Sequence, residues 1–392
     1  MTEARPPLVF IVTGEPSGDL LGGRLMAALR EATEGQVRFV GIGGESMAEQ
    51  GLDSLVDLSE LAVMGFLEVL PKARRILGIV RDTADEIARL KPDVVVTVDS
   101  WGFTGRLHKA IRKRGLPVAQ VHYVAPMVWA WKEKRAKSVA ERVDHLMCLL
   151  PNEPPYFERH GLDCTHVGHS IIESGADAGD GDAFRAAHGI PAGAPLLCVL
   201  PGSRRVEVSR LLPEFRGAVE RLAADRPGLR VAIPTVATVA ADVEAAVADW
   251  PVPVTVVRGQ RARYDAFAAC DGAMAASGTV ALELAMAGVP HLVAYRVSPL
   301  SAWLFRRLTT VRYVNLVNLT LDRPVVPEIL QEACTAERLA SETARLLDDT
   351  SVRACQREGF AEALEQFKGG AGSPSAKAAA VVLQAMSASR TY

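Results

Sequence analysis

Leu8-Val-Phe-Ile-Val-Thr13 runs straight into Gly14-Glu-Pro-Ser-Gly-Asp19 and then Leu20-Leu-Gly-Gly23, and this join decides the fold. Six residues without polar alternation suit a strand covered on both faces. An amphipathic stretch, Leu20–Glu31, follows the glycine turn. The same unit recurs along the chain. Val37–Ile42, Val94–Asp99, Val118–His122 and Leu146–Leu149 read as further buried strands, with helical patterns such as Ile76–Leu90 between them. After Gly168 the series restarts with Leu196–Leu200, Val231–Pro234, Val254–Val257, Gly272–Ala276 and Leu292–Tyr295. Apolar strands separated by helices predict parallel sheets with helices on both faces, and two series predict two doubly wound, Rossmann-like α/β domains.

The seam falls in Gly168–Gly181, where the chain turns small, acidic and Gly-rich. This gives one domain over residues 1–168 and a second over 169–369. The loose segment Gly369-Gly-Ala-Gly-Ser-Pro374 precedes a last helix near Ser375–Ala388. Residues from about 370 to 392 are therefore expected to dock on the first domain or on a partner chain. Ligands of open α/β sheets bind at the carboxyl ends of the strands, so two such domains facing each other would hold two substrates in a cleft.

With 44 Lys and Arg against 46 Asp and Glu, the chain has no basic excess to suggest nucleic acid. The mean hydropathy of +0.13 is on the apolar side, which raises the question of a membrane. A spanning helix needs about 18 consecutive apolar residues. The best candidate, Leu61–Val80, is broken by Glu68, Lys72, Arg74 and Arg75. Six scattered cysteines without a Cys-x-x-Cys pair, and no secretory h-region, suggest a reducing cytoplasm. Leu61–Val80 and Pro299–Leu308 each mix apolar and aromatic side chains with Arg or Lys. Core helices with basic outer faces share that pattern, but two such stretches favour peripheral contact with an anionic leaflet.

Several loops carry candidate chemistry. Gly14–Asp19 offers backbone amides to a ligand, or is a tight turn capped by Ser17 or Asp19. Gly41-Ile-Gly-Gly44 is a weak dinucleotide signal. Asp99, at the end of Val94–Val98, suits a general base, or caps the following helix. His122-Tyr-Val-Ala-Pro-Met-Val-Trp-Ala-Trp131 gathers an imidazole and aromatics that fit sugar or acyl contacts, or a core with polar tips. Pro201-Gly-Ser-Arg204 is the best phosphate site, with amides, the Ser203 hydroxyl and Arg204 at a helix start. Ser277-Gly-Thr279 repeats that logic, and Glu283, one turn on, suits ribose hydroxyls. Together the two loops favour a nucleoside diphosphate. His160, His166 and His169 match no metal spacing.

These motifs, in this order, resemble the lipid-A-disaccharide synthase family. The matching residues are Gly14-Glu-x-Ser-Gly-Asp19, Gly41-x-Gly-Gly44, Met64-Gly-Phe-x-Glu-Val-Leu70 and Lys91-Pro-Asp-Val94 with Asp99. The aromatic decapeptide His122–Trp131, Val167-Gly-His169 and Leu200-Pro-Gly-Ser-Arg204 continue the series. Ala276-Ser-Gly-Thr279 with Glu283, Tyr295-Arg296, Asn315-Leu-x-Asn318 and Pro327-Glu-x-Leu-Gln331 complete it.

The resemblance implies a GT-B fold and an inverting glycosyltransferase. Its donor would be UDP-2,3-diacylglucosamine and its acceptor 2,3-diacylglucosamine 1-phosphate, with lipid A disaccharide 1-phosphate and UDP as products. It implies Asp99 as general base, with Ser203, Arg204, Ser277, Gly278 and Thr279 on the diphosphate and Glu283 on the ribose. Glu15, Ser17 and Asp19 would lie on the acceptor side. His122, Trp129, Asn318 and Gln331 fall at family motif positions counted among the substrate contacts. No metal or other cofactor is implied. The implied location is the cytoplasmic face of the bacterial inner membrane, held peripherally. The family includes homodimers that exchange C-terminal parts, and the Gly-rich segment is compatible with that. One departure stands out: the family's Asp-x-Pro-Asp-Phe reads Asp99-Ser-Trp-Gly-Phe103 here. Val317 likewise stands where the family often has Pro. Rival readings are a peptidoglycan-type N-acetylglucosaminyltransferase, a UDP-N-acetylglucosamine 2-epimerase, or a non-catalytic UDP-sugar-binding protein at the membrane.

Overall fold

A computed structural model of the chain describes residues 5–61, 66–128, 134–297 and 312–389. Contacts divide the chain into two compact units, one ending at Ser170 and resuming at Phe367, the other spanning Ile171–Gln366. Each unit is built on one six-stranded, wholly parallel sheet.

In the first unit the strands are β1 (Leu8–Thr13), β2 (Arg38–Ile42), β3 (Val94–Val98), β4 (Ala119–Tyr123), β5 (His145–Cys148) and β6 (Asp163–His166), ordered β2-β1-β3-β4-β5-β6. Successive residues of a strand point to opposite faces, and β1 shows why its run is unbroken. Val9 and Ile11 enter a core with Leu25 and Leu29 of the helix Pro16–Ala32 and Val382 of the last helix, Pro374–Ser389. Phe10 and Val12 enter the opposite core with Ile79, Ile87, Leu107 and Ile111. The last helix thus belongs to the core of the first unit.

The second unit holds β7 (Leu196–Leu200), β8 (Arg230–Thr235), β9 (Val254–Arg258), β10 (Gly272–Ala276), β11 (His291–Tyr295) and β12 (Glu328–Leu330), ordered β12-β11-β10-β7-β8-β9. Its central strand repeats the two-faced logic. Leu197 and Val199 pack with Leu211, Phe215 and Leu339, while Cys198 and Leu200 pack with Phe267 and Leu284.

These orders fix where ligands can sit. Strand order reverses between β1 and β3 in the first unit and between β7 and β10 in the second, and crevices open at such switch points beyond the carboxyl ends. The loops Gly14–Asp19 and Asp99–Ser100 flank one reversal, and Pro201–Arg204 and Ser277–Thr279 flank the other. Two short edge strands, β6 and β12, were not anticipated from the sequence. Among the described residues no helix is long and apolar enough to cross a membrane. Pro299–Leu308 and residues 62–65 of the other suggested membrane stretch lie outside the described residues, as does Trp129.

Candidate active site

In the second unit, the turn after β7 and the turn after β10 line one cavity of about 310 Å³. Ser203, Arg204, Ser277, Gly278, Thr279 and Glu283 all reach its wall. The structure adds Glu207, Thr235, Val236 and Arg263, which sequence reasoning missed. The helix Arg205–Asp225 starts at this cavity with Arg204 as its N-cap residue, so the positive end of its dipole favours an anion here.

Glu283 sits one turn into the helix Val280–Met286. Its Oε1 accepts from Arg263 Nη2 at 2.9 Å and from the Tyr264 hydroxyl at 3.3 Å. Its Oε2 is buried with no partner among the described residues. Burial pushes the Glu283 carboxyl above its ordinary pKa, while the Arg263 charge and the Tyr264 hydroxyl pull the other way. The net result is an acceptor in a dry wall that lacks a donor, and such groups are rarely left unmatched.

In the first unit, Asp99 directly follows β3 with φ +54°, and Ser100 comes next at +49°. Two consecutive non-glycine residues in the left-handed region cost of order 1–3 kcal/mol each and cluster at functional sites. Specific bonds hold them there. The Asp99 amide donates to the Tyr123 carbonyl at 2.8 Å, the Thr104 hydroxyl donates to the Asp99 carbonyl at 2.9 Å, and the Ser100 amide donates to Asp99 Oδ1 at 2.7 Å. The Ser17 hydroxyl meets Oδ2 at 3.5 Å, so two of the sequence-derived residues come together here. Asp99 is half-buried, and Glu15 and Ser17, at the start of the helix that follows β1, are exposed. The following helix, Trp101–Lys113, has Ser100 as N-cap with no side-chain cap. The capping alternative for Asp99 therefore reduces to a bond with its neighbour's amide.

Three residues expected at the substrate carry bonds within the chain instead or as well. Asp19 is buried and its carboxylate already accepts from the amides of Gly44 at 2.6 Å, Ser46 at 2.8 Å and Met47 at 3.2 Å. It anchors the start of the helix Glu45–Glu49 rather than the turn of its own helix. Asn318 is fully buried: Nδ2 donates to the Val326 carbonyl and Glu328 Oε1, and Oδ1 accepts from the amides of Val325 and Val326. Every polar position of that side chain is taken, so it ties down the segment leading into β12. Gln331, at φ +53°, keeps a side chain whose Oε1 accepts from the Val297 amide at 3.2 Å.

His122 is also fully buried. Its Nδ1 lies 2.7 Å from the Thr97 hydroxyl, which lies 2.6 Å from His108 Nε2, and His108 Nδ1 lies 2.9 Å from Gln120 Oε1. With that carbonyl oxygen facing His108, Nδ1–H of His108 donates to it and Nε2 accepts from Thr97. The hydroxyl oxygen in turn accepts from His122 Nδ1–H. Burial holds both rings neutral, lowering the pKa of His108 to about 4 and that of His122 well below the usual range. Trp101 covers this network, its ring centroid 4.8 Å from that of His122 and 6.0 Å from that of His108.

Two parallel, doubly wound sheets with loop sites at their switch points match solved structures over nearly the whole chain. MurG of Acinetobacter baumannii aligns with TM-score 0.60 at 16% identity, covering 97% of this chain and 100% of that one. The UDP-GlcNAc 2-epimerase of Neisseria meningitidis, bound to UDP-GlcNAc, aligns with TM-score 0.61 at 12% identity, covering 97% and 100%. The protein is thus a two-unit α/β protein of the GT-B fold class. Within that class, the family model described as lipid-A-disaccharide synthetase matches residues 9–381. The lipid-A-disaccharide synthase of Rhodospirillum centenum is 52% identical over 379 residues, covering 97% of this chain and 94% of its own. The chain belongs to the lipid-A-disaccharide synthase family and is a glycosyltransferase of lipid A biosynthesis.

Proposed function

We propose that this enzyme transfers the sugar of UDP-2,3-diacylglucosamine to the 6-hydroxyl of 2,3-diacylglucosamine 1-phosphate. The products are the β-1,6-linked disaccharide 1-phosphate and UDP, formed with inversion by one in-line displacement. The observation that carries this reading is the cavity of the second unit, where two glycine turns, Arg204 and a dry carboxylate converge. Ser203, Arg204, Ser277, Gly278 and Thr279 hold the diphosphate through amides, hydroxyls and one guanidinium, which stabilise the leaving charge without a metal. The second unit is then the donor domain and the first the acceptor domain. In the first, Asp99 takes the proton from the attacking hydroxyl, with Glu15 and Ser17 nearby to orient the acceptor. Asp19, Asn318 and His122 act one step back, by holding the loops and strand ends that carry these groups. Both substrates carry acyl chains, so the enzyme works at the cytoplasmic face of the inner membrane as a peripheral protein.

The assay that tests this reading is incubation with both lipid substrates and identification of the product by mass spectrometry. Disaccharide 1-phosphate supports it. Conversion of UDP-sugar alone would point to an epimerase, and binding without product to a non-catalytic role.

The ribose assignment has its own test. Glu283→Ala removes the acceptor and leaves Arg263 without its carboxylate partner, so UDP affinity should fall about 10–100-fold by calorimetry. The same bond requires an ionised Glu283. Its pKa is raised, so UDP binding to the parent enzyme should weaken as pH falls, beginning above the usual carboxylate range. Unchanged UDP affinity in Glu283→Ala removes it from the ribose.

A further inference from the structure

Glu207 occupies the donors that the diphosphate needs. It stands at the third position of the helix Arg205–Asp225. Its Oε2 accepts from the amides of Ser203 at 3.1 Å and Arg204 at 3.3 Å, and its Oε1 accepts from Arg204 Nη1 at 2.7 Å. The turn is pressed onto this carboxylate. Gly202 has φ +114°, and a Cβ there would lie 2.7 Å from both Cβ and Oε2 of Glu207, so no larger residue fits without moving the side chain. Glu207 lines the same cavity as Ser277, Gly278 and Thr279.

We propose that Glu207 is an internal competitor for the diphosphate: a carboxylate that neutralises the anion site in the free enzyme and opposes the nucleotide's phosphates there. This rests on the reading that Arg204 and the 202–204 turn hold the diphosphate. The donors are the same in both states, two backbone amides and one guanidinium, and all three favour an anionic acceptor. While Glu207 holds them, Arg204 presents no net charge to a small anion entering the cavity. A ligand must bring contacts elsewhere, such as those of a nucleoside, to displace the carboxylate. After transfer, Glu207 returns to its donors and helps to expel UDP. Glu207 thereby sets both selectivity against simple phosphates and the ease of product release.

A Glu at this position also caps its helix, and the test separates the two roles. Glu207→Gln keeps an amide oxygen for the Ser203 and Arg204 amides, so the cap and the fold persist, but the competing charge is gone. UDP should then bind about tenfold more tightly, uridine should bind as before, and UDP should become a correspondingly stronger product inhibitor. A purely structural role would move UDP and uridine together. UDP affinity that is unchanged or weaker in Glu207→Gln overturns the proposal. Arg204→Ala serves as the control for the underlying reading. Unchanged UDP affinity in that variant removes Arg204 from the diphosphate, and the competitor role with it. Weaker UDP binding there, together with no gain in Glu207→Gln, rejects the competitor role alone.

Discussion

Replacing Asp99 by Asn should lower turnover by roughly 10²–10⁴-fold while UDP affinity stays as in the parent enzyme. The substitution is informative because the local structure accepts it. Asn tolerates the left-handed region better than most residues, so φ +54° at position 99 and +49° at Ser100 persist. Its side-chain oxygen still accepts from the Ser100 amide, now made at 2.7 Å. The backbone bonds to Tyr123 and Thr104 do not involve the carboxylate. What disappears is the negative charge and the capacity to take a proton. The groups assigned to UDP all line the cavity of the second unit, so donor binding has no reason to change. The measurement is kcat with both lipid substrates beside a calorimetric UDP titration, with a melting curve to show that the fold is intact. Turnover within about tenfold of the parent would take the base role from Asp99.

The parts of this protein that could be read in its sequence are those where one physical cause dominates. The runs Leu8–Val12 and Leu196–Leu200 are apolar at every position because helices cover both faces. The edge strand Asp163-Cys-Thr-His166 is polar and half-exposed, and Glu328–Leu330 is three residues long. Neither leaves a pattern. The cavity of the second unit was legible because its glycine turns follow β7 and β10, which pair side by side. Arg263 was not. It lies on the helix Gln260–Ala269, and only tertiary packing brings it to Glu283 across 20 residues. Polar motif residues posed the opposite problem. Sequence shows that Asp19 and Asn318 carry hydrogen-bonding groups, but not whether a substrate or the chain's own amides use them. The structure gives those bonds to the chain.

Gly41 shows the same ambiguity with the largest consequence for stability. The run Gly41-Ile-Gly-Gly44 is a weak dinucleotide signal in the sequence, and Gly41 lies within β2, paired with Ile11 of β1. Its φ is +152°, and a Cβ would overlap the Ile11 carbonyl oxygen and crowd the rest of that peptide. Relief requires the two strands to part, because the obstacle is backbone and has no rotamer to change. Gly41 is also where the following loop is pinned: its carbonyl accepts from the Leu55 amide at 2.9 Å, and the Ser54 hydroxyl accepts from the Gly43 amide at 3.1 Å. Overpacking and forced backbone conformation each cost about 1–3 kcal/mol, and here they act together where the edge strand β2 pairs with the fully buried β1. Gly41→Ala should therefore destabilise the first unit by more than about 3 kcal/mol, a large share of a typical domain's stability. The second unit has its own sheet and core, so the loss should be selective. Amide hydrogen exchange resolves this: protection of Val9–Val12 and Val94–Val98 should collapse while that of Leu196–Leu200 and Ala273–Ala276 persists. Parent-like protection of β1 in the variant would mean that the two strands can separate at little cost, contrary to the packing of Gly41 against Ile11.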